Sequence, residues 1–351
     1  MKVWLKRGAL VLALLFLVMT VTNAWWLADA PGGYVKLIAH RGAHQLFSHE
    51  GLDNQTCTAT RIGQPYHDYL ENTLESINQA KRLGAQMIEV DIAPTADGRI
   101  VLFHDWTLDC RTNGKGEVRA KTLAELKALD IGYGYTADGG KTFPFRGKGV
   151  GQMPSLEEAL AISGDKPLLY NFKSKDPAEA DLLLAALQAA GRDPVKLKDG
   201  FYGGAEAGPV ARMRQLLPQA WVFSKESIKA CTRAYLWAGW LTTTPAACRN
   251  GTLMVPLNYQ WAFAGWPNRA QNRLDGVGAR IIMVAPYGGK GGMGLDLPEQ
   301  IGEVPASFTG YVWVEDIWTI GPALRPAYNK RNPLQEAALA EALTARRAAR
   351  D

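Results

Sequence analysis

The chain has 351 residues, of which 47% are hydrophobic and 21% charged, with a formal net charge of +5. This is globular composition with ample material for a core, and it excludes a disordered or low-complexity chain. The charge excess is mild, Arg346, Arg347 and Arg350 lie in the tail, and no basic stripe is interleaved with aromatics, which argues against a nucleic-acid binder.

The first element is N-terminal. Lys2, Lys6 and Arg7 precede an apolar run from Gly8 to Val21, followed by Thr22-Asn23-Ala24 and Trp25-Trp26. Two readings fit residues 1–27. One is a signal peptide cut after Ala24. The other is an uncleaved membrane anchor with both tryptophans in the interfacial belt. Both place the body outside the cytoplasm, periplasmic or secreted, because positive residues stay inside. The cysteines at 57, 110, 231 and 248 suit an oxidising compartment and allow three pairings. The expected one joins Cys57 to Cys110, tying down an insertion, and Cys231 to Cys248, closing a short excursion.

The main domain is expected over 33–330. Residues 35–39 read as a buried strand ending at His40. Residues 43–70 are polar, hold His44, His49 and His67, and read as an insertion over one mouth of the domain. Asn72 is placed as a helix N-cap, with Glu75 completing a capping box and Gly84 ending the helix. Residues 87–92 and 100–103 read as strands flanking an Asp97-Gly98 turn. Thr122-x-x-Glu125 and Ser155-x-x-Glu158 open helices, and 132–151 is a long loop without periodicity. A strand at 167–173 is followed by a helix opened by Asp176-Pro177. Further strands are expected at 200–202, 220–223, 252–257, 280–285 and 311–314, and a peripheral Ala-rich helix over 334–351. Strand–helix alternation predicts a parallel sheet closed as an α/β (β/α)8 TIM barrel, with its chemistry at the C-terminal strand ends. The candidates exceed eight by one, and the surplus strand is expected at 200–202 or among the last two.

Glu89 and Asp91 are two apart on a strand and so share one face. Ile88, Val90 and Ile92 take the other face as core, leaving the carboxylates pointing into the barrel. Such a pair needs a cation, and oxygen-only ligands suit Mg²⁺ or Ca²⁺. His40 and His104 stand at strand ends as a candidate acid–base pair. Asp105 could orient one imidazole. Arg41 offers a bidentate fork and Lys173 a point charge for a phosphate.

His40-Arg41-Gly42, Glu71-Asn72-Thr73, Glu89-x-Asp91, His104-Asp105 and Arg111-Thr112-Asn113-Gly114, in this order and spacing, resemble the glycerophosphodiester phosphodiesterase family. The resemblance covers about residues 35–175. It implies a (β/α)8 barrel, a divalent cation, and hydrolysis of glycerophosphodiesters to glycerol 3-phosphate and an alcohol. Carried onto this sequence, it implies His40 and His104 as acid and base, Glu71, Glu89 and Asp91 around the metal, and Arg41 and Lys173 on the phosphate. The family's Glu-x-Lys reads here as Asn171-Phe172-Lys173, so Asn171 would serve as a ligand through its carbonyl oxygen with one negative charge fewer. Rival readings are a lysophospholipase D, a sphingomyelinase D-like or a phosphatidylinositol-phospholipase-C-like enzyme, suggested by aromatics near Trp261 and Trp266, and a non-catalytic phosphate- or lipid-binding barrel, suggested by Asn171.

Overall fold

The computed structural model describes residues 2–53 and 56–350. Met1, Asn54, Gln55 and Asp351, which fall in the expected leader, insertion and tail, lie outside the described residues. A long N-terminal helix, α1 (Lys2–Thr22), precedes β1 (Lys36–Ala39), α2 (Leu74–Arg82), β2 (Met87–Pro94) and β3 (Ile100–Leu102). Then come α3 (Leu123–Lys127), α4 (Leu156–Ser163), β4 (Leu168–Phe172), α5 (Ala178–Ala189), β5 (Gly200–Gly203), α6 (Pro209–Leu216), β6 (Trp221–Ser224) and α7 (Lys225–Ala238). The chain ends with β7 (Thr252–Pro256), α8 (Asn268–Asp275), β8 (Arg280–Val284), β9 (Tyr311–Val314), α9 (Ile317–Leu324) and α10 (Pro333–Ala348).

Eight strands pair in parallel in the order β6-β5-β4-β2-β1-β9-β8-β7, the nearly closed wall of a (β/α)8 barrel. Among the described residues no ladder joins β6 to β7. There Trp221 Nε1 donates to Thr252 Oγ1 at 2.9 Å, the Arg280 guanidinium stacks over Trp221, and Thr232 of α7 takes the Met254 amide at 3.2 Å. Alternation along the strands sorts side chains into two layers. Ile38, Met87, Leu169, Tyr202, Phe223 and Trp313 fill the interior. Leu37, Ile88, Val90, Tyr170, Val255 and Val312 pack outward against the helices.

The surplus strand is β3, not 200–202 or a late strand. It pairs antiparallel with the end of β2, Ile92 opposite Leu102. The few residues between them allow a hairpin but not the helical crossover that parallel neighbours need. The hairpin carries β2 past the mouth and back, so Phe103 N donates to Asp91 O at 3.0 Å and His104 lands beside Asp91.

Thr122 and Ser155 cap α3 and α4 with complete capping boxes. At α2 the cap is Thr73, which accepts from Ser76 N, and not Asn72. Asn72 turns its side chain inward instead, to Asp91. Both disulfides form as expected, Cys57–Cys110 and Cys231–Cys248. The first borders a satellite core beside the mouth built from Ile62, Val101, Phe103, Tyr135 and Phe145. Leu339 and Leu343 of α10 are buried, and Arg346 pairs with Asp316 at 3.0 Å. Trp266 is buried, whereas Trp261 is 75% exposed.

Candidate active site

After β1 the backbone turns through two left-handed residues, Arg41 (φ 55°) and Gly42 (φ 76°). A Cβ on Gly42 would stand 2.9 Å from the Ser76 backbone, so only glycine fits this close approach. Arg41 is not glycine, and its strained conformation is held from three sides. Its N–H donates to Glu89 Oε2 at 2.9 Å, while its carbonyl accepts from Asn72 N at 3.0 Å and Ser76 Oγ at 3.2 Å. Asn72 (φ 58°) accepts from Asp91 N through Oδ1 and donates to Asp91 Oδ2 through Nδ2, each at 2.9 Å. His40-Arg41-Gly42 and Glu71-Asn72-Thr73 thus form one buried backbone joint beside β2.

The residues singled out from sequence meet in one network. Arg41 Nη1 reaches Glu71 Oε1 at 2.9 Å, and its Nε lies 3.3 Å from Asp91 Oδ2 and 3.2 Å from His40 Nε2. Lys173 Nζ sits 2.8 Å from Asp91 Oδ1. Asn171 Nδ2 donates to Glu89 Oε1 at 3.0 Å and Asp91 Oδ1 at 2.9 Å, and it lies 2.7 Å from the Tyr202 hydroxyl. That hydroxyl donates to Glu89 Oε1 at 2.5 Å. Burial and the adjacent Asp91 raise the Glu89 carboxyl above its ordinary range. Against burial, Lys173 and Arg41 hold Asp91 well below its own. Both oxygens of Glu71 are taken, one by Arg41 and one by Arg111 at 3.0 Å.

Each imidazole is held by a carboxylate. His40 Nδ1 lies 2.9 Å from Glu315 Oε1, and His104 Nδ1 lies 2.7 Å from Asp105 Oδ1. This leaves Nε2 as the other ring nitrogen of each, and at His40 it accepts from Arg41 Nε at 3.2 Å. Asp105 is fixed by Arg111 Nε at 2.9 Å, and Arg111 is itself buried against Glu71, Tyr135 and Thr58. Burial opposes an imidazolium at His40, but Glu315 more than offsets it and the pKa is raised. At His104 burial, with Arg41 and Lys173 nearby, lowers the pKa to about 4.

Two donor sets could hold a cation. Glu89, Asp91 and Asn171 converge on one face, and the Asn171 amide nitrogen sits between the two carboxylates. Turned about, the amide would present its oxygen there, giving the oxygen-only environment that Ca²⁺ or Mg²⁺ takes. The donors therefore fit a hard cation, and Lys173 and Arg41 balance part of the carboxylate charge. The second set is His40, His44 and Glu315, whose ligand atoms lie within 4.8 Å of one another. Its two nitrogens suit a softer ion. His44 is fully buried, neither ring nitrogen has a hydrogen-bond partner, and its Nε2 lies 3.5 Å from Glu315.

Glu315 and Tyr202 were not singled out from the sequence, and His44 was noted only as part of the insertion. Glu315 stands one residue past β9, the same strand-exit position as His40, and that signal could have found it. His44 and Tyr202 left no local signal. Beside the site a cleft of about 750 Å³ opens between Phe47, His49, Tyr66, Lys290, Arg346 and Arg350.

Residues 40–198, a little under half of the chain, match the glycerophosphoryl diester phosphodiesterase family. The chain is thus similar to this family over the stretch from His40 to Lys173 that carries most of the network; Tyr202 and Glu315 lie beyond it. It is 41% identical over 106 residues to the glycerophosphodiester phosphodiesterase of Caldanaerobacter subterraneus subsp. tengcongensis, covering 30% of this chain and 40% of that protein. It is 37% identical over 124 residues to the glycerophosphodiester phosphodiesterase of Bacillus subtilis, covering 34% and 41%. The chain therefore spans about two-fifths of the length of these curated relatives. Among solved structures, the glycerophosphodiester phosphodiesterase of Agrobacterium tumefaciens superposes with a TM-score of 0.55 at 19% identity, over 82% of this chain and 99% of that one. An Oleispira antarctica phosphodiesterase, solved in complex with the product sn-glycerol-3-phosphate, gives 0.50 at 16% identity, over 83% and 97%. These two likenesses establish the fold.

Proposed function

We propose that the chain hydrolyses glycerophosphodiesters to glycerol 3-phosphate and an alcohol. The observation that carries this is the pair of carboxylate-held imidazoles, His40 and His104, flanking the Glu89–Asp91–Asn171 set at one barrel mouth. The family match over residues 40–198 gives that geometry its substrate class. Arg41 and Lys173, now on carboxylates, are the cations positioned to take the phosphate oxygens. A divalent cation held by Glu89, Asp91 and Asn171 would supply further charge to those oxygens when bound, with Glu71 tied to them only through Arg41. His104, neutral at pH 7, accepts the proton of the attacking water at Nε2 as the oxygen–phosphorus bond forms. With Arg41 turned from His40 Nε2 onto the phosphate, His40 donates a proton from Nε2 to the leaving alcohol oxygen as its bond to phosphorus breaks. Asp105 and Glu315 hold the two rings with Nδ1 as donor. The body works outside the cytoplasm, as two disulfides suit an oxidising compartment.

The test is a panel of deacylated glycerophosphodiesters assayed with and without a chelator. We expect turnover that the chelator suppresses and that His40→Ala and His104→Ala each reduce by about 100-fold or more. Near-full turnover in both variants would refute the assignment, and ligand binding without turnover would favour a non-catalytic barrel. A second reading, release from lysophospholipids, is favoured by exposed Trp261 and by α1. Faster release from a lysolipid than from glycerophosphocholine would select it.

A further inference from the structure

Residues 22–29 are built into the flank of the barrel. Asn23 is buried, 6% exposed. Its Nδ2 donates to Trp240 O at 3.0 Å, and its Oδ1 accepts from Arg273 Nη1 at 2.8 Å. Arg273 Nη2 also donates to Thr22 O at 3.3 Å. Along α8, Arg269 Nε donates to Ala24 O at 2.8 Å and Asn268 Nδ2 to Ala28 O at 3.0 Å. A cut after Ala24 would strip Asn23 from between Trp240 and Arg273 and leave their polar groups without these partners. A leader discarded before folding has no use for such contacts.

Among the described residues, the helix that this joint carries is packed against nothing. Trp4–Thr22 has a mean hydropathy of 1.9 and is 0% buried. At about 1.5 Å per residue it is close to the hydrocarbon thickness of a bilayer. Where it meets the body, large apolar side chains stand in the open: Trp26 is 64%, Trp261 75% and Trp237 84% exposed. Trp25, Trp26, Trp240 and Trp261 share one shallow hollow of about 320 Å³. From Trp261 an aromatic row continues to Tyr259 at 6.2 Å and Tyr287 at 6.1 Å, just past the exit of β8. Such rings settle at the headgroup level of a membrane.

We infer that α1 is a retained membrane anchor, and that the barrel lies with its α7–α8 flank on the leaflet facing away from the cytoplasm, the Trp26–Trp261 row seated among the headgroups. The joint at Asn23 fixes that orientation, and the Tyr259–Tyr287 row carries the contact to the rim of the mouth.

The experiment uses the full chain, expressed in a Gram-negative bacterium and reconstituted into phosphatidylcholine nanodiscs. Its intact mass should include α1, and alkaline carbonate should leave it in the membrane fraction. A chain shortened at Ala24 and found in the soluble fraction would overturn the anchor. In nanodiscs with bromine-labelled acyl chains near the headgroup, Trp26→Phe/Trp261→Phe should lose far more lipid quenching than Trp106→Phe, which removes an exposed tryptophan outside this row. Equal losses would overturn the docking surface. None of these readouts depends on turnover, so they stand apart from the test of the proposed activity.

Discussion

Glu315 accepts the His40 Nδ1 proton at 2.9 Å, which leaves Nε2, 3.2 Å from Arg41 Nε, as the nitrogen proposed to act. Replacing it with alanine removes the orienting carboxylate without touching the phosphate side, so the loss should fall on kcat, about tenfold or more, with KM little changed. Glu315→Asp should recover part of it, and a KM-only effect in steady-state kinetics would show that the residue merely shapes the mouth. His67 is a second buried imidazole with a different consequence. It is boxed by Tyr66, Tyr69 and Trp318, and its Nδ1 receives donors from Gln45 and Tyr69. Burial lowers its pKa from 6.5 to about 4. The unfolded chain therefore takes up a proton below pH 6.5 that the folded chain refuses. His67 is stability-neutral above that value and costs stability as the pH falls, about 2 kcal/mol by pH 5 and about 3 by pH 4. Denaturant melts between pH 7 and 4 should be flatter for His67→Gln. Parallel pH dependences of the two proteins would contradict the assignment.

At the scale of elements, the Cys57–Cys110 bridge closes a 53-residue span, and its two neighbours, Thr58 and Arg111, are hydrogen-bonded to each other. Arg111 in turn holds Glu71 and Asp105, so the bridge supports His104 two contacts away. Cys57→Ser/Cys110→Ser should cost about 4 kcal/mol and also lower kcat. Cys231→Ser/Cys248→Ser, across 17 residues beside α7, should cost about 3 kcal/mol and leave kcat near wild type. Equal kcat losses would separate the first bridge from the site. Elements of this kind show what a sequence carries. The strands, the two capping boxes and the inward pair Glu89–Asp91 were legible because periodicity and cap chemistry are local. The role of β3 was misassigned because an apolar run reads alike in a hairpin and in a barrel wall, although the short link before it held the answer. Thr73 displaced Asn72 as cap because both residues cap well, and only the distant Asp91 decides between them. Asn171 and Lys173 were legible as strand-exit groups, but their contact with Asp91 depends on the register of β4 against β2, which one strand alone does not encode.

At the scale of the whole molecule, the wall is continuous everywhere except between β6 and β7, where side chains of Trp221, Thr252, Arg280 and Thr232 take the place of a ladder. A ladder must break many bonds together, whereas a seam of single side-chain contacts opens one contact at a time. The barrel should therefore breathe along this line. In native-state hydrogen exchange, peptides covering 221–224 and 252–256 should take up deuterium earlier than those covering 87–92 and 168–172, and equal protection would mean that α7 seals the gap fully. The central strands β1, β2 and β4, flanked on both sides, also carry His40, the two inner carboxylates and Asn171-Phe172-Lys173. If the exchange order holds, these groups ride on the part of the wall that opens last, and opening at the seam leaves their register undisturbed.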